Sequence, residues 1–306
     1  MEKQIVLQPI YLKKNVGLGN ALRIAIQNCS FDLIARMDSD DISMKKRFEL
    51  QLKEFEQDLN LDIVGGNITE FVGEESNIIA RRIVFDKDIE IKKDMKKRCA
   101  MNHMSVMYKK NAVQKSGGYL DWPWNEDYYL WIRMMESNCK FKNLAVNLVN
   151  VRVGMDMSSR RGGWNYFKSE QKLQKYMLKH EIINLPRYLY NILIRFIGEV
   201  VVSNTLRAKL FRFVRKPYNL QAEKEDKAVL SDGSEKRLKV HRPFSVAMSV
   251  YGKDNAEWFD VALASIVNQT VKPNEIILVV DGPIPEAIQN VINKYDNICK
   301  GEGGDK

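Results

Sequence analysis

The stretch "NEIILVVDG", residues 274–282, limits the fold of this 306-residue chain more than any other. Ile276 to Val280 are apolar without interruption. A strand built from them needs cover on both faces, as in a parallel sheet flanked by helices. Upstream, "AEWFDVALASIVNQ" (256–269) sets Phe259, Ala262, Leu263, Ile266 and Val267 on one side of a helix. Before that, "FSVAMSVY" (244–251) has the composition of another strand. Strand, helix and strand in this order make a parallel unit. A further helix is expected at 285–297.

The alternation also fills the first half of the chain. "QIVLQPIYL" (4–12) reads as a strand, with Pro9 confining it to an edge or irregular position. A Gly-containing loop and a helix follow at 15–29, then the buried strand "FDLIARMD" at 31–38. Residues 43–58 are helical, with Ser43 as N-cap and Phe48, Leu52 and Phe55 on one face. Residues 61–72 form a strand in which Gly65 and Gly66 mark a bulge or a close approach. A short strand, a short helix and a Gly turn are expected within 103–119, and a helix at 125–138. Residues 141–153 make one long strand or a pair. The fold class is therefore α/β: a mixed, mostly parallel sheet flanked by helices.

Composition fits that class. Apolar residues make up 45% and charged residues 28%, as in ordinary soluble domains. The four cysteines form no Cys-x-x-Cys pair, which argues against a zinc site or disulfide framework and fits a reducing compartment. "MEKQIVLQPI" lacks the layout of a signal peptide, and no apolar run is long enough to span a bilayer. The expected location is the cytoplasm. The net charge of +9 is concentrated in one segment: residues 160–216 hold 13 Lys and Arg against three Glu. Within it, 164–216 reads as a run of helices interrupted near Pro186. The part at 186–217 mixes basic residues with Leu, Ile, Phe and Tyr, the pattern of a helix lying on an anionic membrane. The competing reading packs that apolar face against the rest of the protein. No nucleic-acid motif accompanies the charge, so nucleic acid is not an expected partner.

Ligands of such sheets bind beyond the carboxyl ends of the strands. Two expected strands end in acids there: Asp281 after "ILVV", and Asp38, Asp40 and Asp41 after "LIARM". In extended chain Asp38 and Asp40 point the same way. Paired carboxylates of this kind suit Mg²⁺ or Mn²⁺ with a phosphate, or else a solvated, helix-capping loop. Glu126 and Asp127 head a helix, where they either complement its dipole or supply a general base. Gly17 and Gly19 in "KKNVGLGN" allow close backbone approach but match no phosphate-loop fingerprint.

Together, "NVGLGNAL", "DLIARMDSDDIS", "VGGN", "NHMSVMYKKNAVQKSGGY" and "NEDYYLW" resemble a family 2 glycosyltransferase with a GT-A fold. Residues 244–283 are similar to that family's amino-terminal, nucleotide-binding half. "VRVGMDMSSRRGG" (151–163) is similar to a late loop of bacterial enzymes that build capsular and lipopolysaccharide glycans. The resemblance implies a nucleotide-sugar donor, with a UDP-sugar favoured, and inverting transfer to a glycan or lipid-linked acceptor. It implies Tyr251 against base and ribose, Asp281 at the nucleobase, and Asp38 and Asp40 at ribose, metal and diphosphate. Asp127 matches the base. His103 would line the site or be structural. Where relatives have Arg-Asn this chain has Leu22-Arg23, and Arg23 is the candidate phosphate cation. Asp156 stands in for a late metal-binding His, with Arg160 or Arg161 on the diphosphate.

The order departs from the family, because the nucleotide-binding half comes last. The expected account is a circular permutation: 1–160 as the metal and acceptor half, 161–220 as basic helices, 221–243 as linker, 244–300 as the nucleotide half and 301–306 as a tail. A truncated tandem of two enzymes is the rival. Permutation requires 244–251 to share a sheet with 31–38. The functional alternatives are a non-catalytic nucleotide-sugar-binding or scaffold protein, and a nucleotidyltransferase.

Overall fold

The computed structural model describes residues 4–154, 162–202 and 242–301. In chain order these form β1 (Val6–Tyr11), α1 (Leu18–Asn28), β2 (Leu33–Arg36), β3 (Ile42–Ser43), α2 (Arg47–Gln57), β4 (Ile63–Phe71), β5 (Ile78–Arg82) and α3 (Asp88–Met95). They continue with β6 (Met107–Lys109), α4 (Lys110–Lys115), α5 (Glu126–Glu136), β7 (Phe141–Arg152), α6 (Trp164–Lys179) and α7 (Leu185–Phe196). The last four are β8 (Phe244–Tyr251), α8 (Ala256–Val267), β9 (Glu275–Asp281) and α9 (Glu286–Lys300).

The strands make one sheet in the order β1-β9-β8-β2-β6-β4-β7-β3, with β5 added on β4. Pairing is parallel through β1, β9, β8 and β2, and again between β4 and β7. Most of the paired length is parallel, and the class is α/β, as expected. β8 lies directly against β2, with Ala35 opposite Val246. The strands at 244–251 and 31–38 therefore share the sheet.

The uninterrupted apolar strand is buried on both faces, as its sequence requires. Ile276, Leu278 and Val280 join one core with Phe259, Leu263 and Ile266 of α8 and Ile288 and Ile292 of α9. Ile277 and Val279 join the other with Ala21, Leu22 and Ala25 of α1. Counted from β8, the four neighbouring strands lie in the spatial order third, second, first, fourth. That is the doubly wound arrangement, whose switch point here falls between β8 and β2.

Several local readings are refined. Pro9 sits in the outermost strand, where its missing N–H costs no ladder bond. The register of β4 against β7 breaks at Gly66 and Asn67, giving the expected irregularity. Residues 141–152 are one strand. Ser43 does not cap α2; it belongs to β3, opposite Val149, and its N–H donates to Ser265 Oγ at 3.0 Å. α2 starts later, after Lys46, and has no side-chain cap. α6 and α7 are the described part of the basic helical segment; 203–217, the linker residues 221–241 and the tail from 302 lie outside the described residues.

Candidate active site

The switch point gathers acids from several elements. β2 ends at Arg36, and the chain turns through Asp38, Asp40 and Asp41 before β3. Carboxylate oxygens of these three aspartates lie within 4.8 Å of one another. β8 delivers Asp254 to the same place: its Oδ2 accepts from Ser39 Oγ at 2.8 Å and from the Tyr251 N–H at 3.1 Å. Burial, then the charges of Asp38 and Asp254, push the Asp40 carboxyl up to about 6. Burial and the charges of Asp38 and Asp40 push Asp41 up further still. Oxygen donors collected in this way, short of counter-charge, fit a hard divalent cation.

The local counter-charge is Arg36, almost wholly buried. Its guanidinium donates to Asp38 through both terminal nitrogens, one at 2.6 Å. Burial opposes the Arg36 charge most strongly, but Asp38, Tyr119 and Asp41 together outweigh it and the pKa stays raised. Arg47 lies fully buried behind it, donating to the Arg36 carbonyl at 2.7 Å and to the Val106 carbonyl at 3.2 Å. From β7, the Arg152 N–H donates to Asp41 Oδ1 at 2.9 Å. The Arg152 guanidinium is held between the rings of Phe71 and Trp258, 4.6 and 4.7 Å from their centroids. Arg36, Arg47, Arg152 and Asp254 escape the sequence reading. Arg36 alone leaves a signal, as a charge inside an apolar strand.

A second acidic pair approaches from α5. Burial, followed by the charge of Asp127, raises Glu126 to about 7; Arg36 and Asp38 also act on it electrostatically. Glu126 therefore lies within electrostatic reach of Arg36 and Asp38. Asp127 Oδ1 accepts from the Tyr128 N–H at 2.7 Å, and its Oδ2 lies 3.7 Å from Cys99 Sγ. Gly19 permits this packing, because a β-carbon there would stand 3.1 Å from the Leu120 carbonyl oxygen and 3.4 Å from Glu126 Cβ.

The third group lies along the same carboxyl rim. Tyr251 and Asp281 are register partners at the ends of β8 and β9. Tyr251 is 39% exposed, whereas Asp281 is buried. The Asp281 carboxylate accepts from the Val16 N–H at 2.7 Å and the Gly17 N–H at 3.1 Å. It thus pins the glycine loop at the head of α1. Gly282 follows with φ of 91°, and a β-carbon there would meet the Asn15 nitrogen at 2.7 Å.

Two further candidates have different settings. Arg23 is exposed on α1 and donates to Asn20 Oδ1 at 3.2 Å. His103 is buried, with Nε2 2.6 Å from the Tyr119 hydroxyl and its ring edge-on to Trp131. Burial and Arg36 push its pKa well down. Asp156, Arg160 and Arg161 lie outside the described residues.

A doubly wound sheet with clustered carboxylates at its switch point defines an α/β domain whose ligand site lies beyond the carboxyl ends of its strands. Comparison with known proteins makes this specific. The glycosyl transferase family 2 model matches residues 3–116. An uncharacterized glycosyltransferase of Haemophilus influenzae is 40% identical over 216 residues, 70% of this chain and 80% of the relative. The chain belongs to glycosyltransferase family 2 and is a glycosyltransferase. The amylovoran biosynthesis glycosyltransferase AmsE of Erwinia amylovora is 38% identical, over 55% of this chain and 62% of its own length. A UDP-Gal:alpha-D-GlcNAc-diphosphoundecaprenol beta-1,3-galactosyltransferase of Escherichia coli is 33% identical, over 60% of this chain and 66% of its own. The chain thus spans less than two thirds of these last two relatives.

Proposed function

We propose that the protein moves a sugar from a nucleoside diphosphate sugar to a hydroxyl of a glycan or lipid-linked acceptor, with inversion, in bacterial surface polysaccharide synthesis. The observation that supports this most is the clustering of Asp38, Asp40 and Asp41 at the switch point, with Glu126 of α5 in electrostatic reach of Asp38 and Arg36. In this reading Asp127 takes the proton from the acceptor hydroxyl. The hydroxyl oxygen attacks the anomeric carbon from the face opposite the nucleotide. The bond to the diphosphate breaks and a nucleoside diphosphate leaves. Glu126 holds a proton beside Asp127 at low pH and loses it near neutrality, where the added charge favours proton uptake by its neighbour. Asp38 and Asp40 would hold Mg²⁺ or Mn²⁺, which supplies charge stabilisation to the departing diphosphate.

Tyr251 would lie against the nucleobase and ribose, and the relative that uses UDP-Gal supports a UDP-sugar donor. Asp281 is given a different emphasis from the resemblance. With its carboxylate engaged by Val16 and Gly17, it shapes the loop over the nucleotide. No described helix is long and apolar enough to cross a membrane; a place at the inner membrane face is supported by the relative's lipid-linked acceptor.

We also read the chain as a circular permutant. Parallel pairing of β8 with β2, and of β9 with β1, supports this.

A panel of nucleotide sugars scored by nucleoside diphosphate release tests the function. Release of pyrophosphate instead would mean nucleotidyl transfer. Asp127→Asn is expected to keep donor binding and to lower turnover at least about 10²-fold. Unchanged turnover removes Asp127 from the role of base.

A further inference from the structure

Helix α7 is attached to the protein by a polar stripe, with Tyr188 against the core and Phe196 against Phe167 beside it. Arg187, Asn191 and Arg195 recur every four residues along one stripe. Asn191 Nδ2 donates to the Lys96 carbonyl at 2.9 Å and to Gln174 Oε1 at 2.8 Å. Arg195 donates to Glu170 Oε2 at 2.6 Å and to the Lys97 carbonyl at 2.8 Å. Two residues further on, about 200° around the helix, Leu185, Leu189, Leu193 and Ile197 form a second stripe. Leu189 and Leu193 are 57% and 56% exposed, and Tyr190 and Ile194 beside them are also more than half exposed. A helix that serves only its own domain turns its apolar side to the core. This one turns it outward, so the reading in which 186–217 packs its apolar face inward fails for the described part. Single exposed leucines need no explanation, but a continuous apolar face does.

A cavity of about 300 Å³, mostly apolar on its inner surface, adjoins the start of this helix. It is lined by Lys93, Lys96 and Lys97 from the end of α3, by Ile182 and Ile183, and by Asn184 and Arg187 at the head of α7. None of the four cations has a carboxylate partner among the described residues. Arg187 Cζ instead lies 5.6 Å from the Tyr190 ring centroid, joining the cavity to the apolar face.

We propose that the cavity and α7 form one docking surface for an anionic phospholipid bilayer. A headgroup phosphate sits among Lys93, Lys96, Lys97 and Arg187, while Leu189, Leu193 and Ile194 enter the acyl boundary. Apolar insertion beside clustered cations is the combination that holds peripheral proteins on anionic lipid. Charge argues against a second copy as the occupant. A two-fold contact with a second copy would bring unpaired cations toward their own equivalents. Residues 203–216, which follow in the chain, add five Lys and Arg and no acid. The surface stands on geometry apart from the transfer chemistry, and its test needs neither donor nor acceptor.

The full chain is sedimented with vesicles of phosphatidylglycerol and phosphatidylcholine, and with phosphatidylcholine alone. Binding is expected only to the anionic vesicles and is expected to weaken steeply with salt. Leu189→Glu with Leu193→Glu should weaken it at least tenfold. Lys96→Gln with Lys97→Gln should weaken it about tenfold and flatten the salt dependence. Circular dichroism and unchanged nucleoside diphosphate release show that the variants remain folded. Failure to bind anionic vesicles, or equal binding to neutral ones, overturns the proposal. So does a dimer that the Leu→Glu pair converts to monomer without any change in lipid binding. A Leu193→Cys thiol that resists alkylation in the lipid-free monomer would show the face covered by the chain itself, and would also overturn it.

Discussion

Asp40 carries a conflict between stability and activity that can be measured. Its folded-state carboxyl is raised to about 6 by burial and by Asp38 and Asp254, and Glu126 is raised to about 7. A carboxyl raised on folding favours the protonated state. Its contribution to stability is therefore complete below the unfolded value near 4 and is lost as pH rises through 6 to 7. Metal-free protein should melt roughly 3–6 °C lower at pH 7.5 than at pH 5.5, as scanning calorimetry in chelator would show. Millimolar Mg²⁺ or Mn²⁺ should recover the loss at pH 7.5, because a cation bound only by the folded state stabilises it. Asp40→Asn should remove the smaller part of this pH dependence, leaving the part due to Glu126, and stabilise the metal-free protein at pH 7.5 by about 1–2 kcal/mol. Nucleoside diphosphate release should fall at least about 10²-fold. A variant less stable than the parent at pH 7.5 would refute this account of the acids.

At the scale of elements, the proposed donor side rests on one backbone crossing. The end of β9 passes so close to Lys14 and Asn15 that Gly282 leaves no space for a β-carbon, and its φ of 91° is one that side chains disfavour. Gly282→Ala should cost about 1–3 kcal/mol in urea unfolding. It should raise the donor KM more than it lowers kcat, because it displaces the loop that Asp281 pins. Equal effects on both constants, or none, would disconnect this crossing from the donor.

Sequence and structure agree best where burial speaks for itself. The run Ile276–Val280 announces a two-face-buried strand, and Phe48, Leu52 and Phe55 announce the inner side of α2. Legibility fails where long-range pairing decides. Ser43 has the chemistry of a helix cap, but β7 recruits it into a strand. β5 and α3 lie in residues 73–102, where no clear hydrophobic period is present. Asp38, Asp40 and Asp127 could be picked out from spacing and resemblance. Asp254 and Arg152 could not, because only the folded chain brings them to the aspartates.

For the whole molecule, the arrangement of strands can be separated from the order in which the chain supplies them. β8, β9, β1 and β2 make a doubly wound set whose members come from the two ends of the chain. A rewired gene that starts at Arg242, runs to Gly301 and continues into Gln4 should produce the same circular dichroism spectrum. Its unfolding free energy should lie within about 1–2 kcal/mol of the original, the scale of an altered loop closure. A rewired chain that is insoluble, or far less stable, would count against permutation.

The pairing of β8 with β2 also has a consequence during synthesis. The Phe31 N–H donates to Ser245 Oγ across 214 positions of sequence. Translation proceeds at roughly 5–20 residues per second, so β2 leaves the ribosome many seconds before its partner exists. Throughout that interval the nascent sheet has an open slot at its centre, and the apolar strand edges flanking it are exposed to other chains. Pairing of β2 with β8 can therefore form only late in synthesis, after more than two hundred further residues have been added.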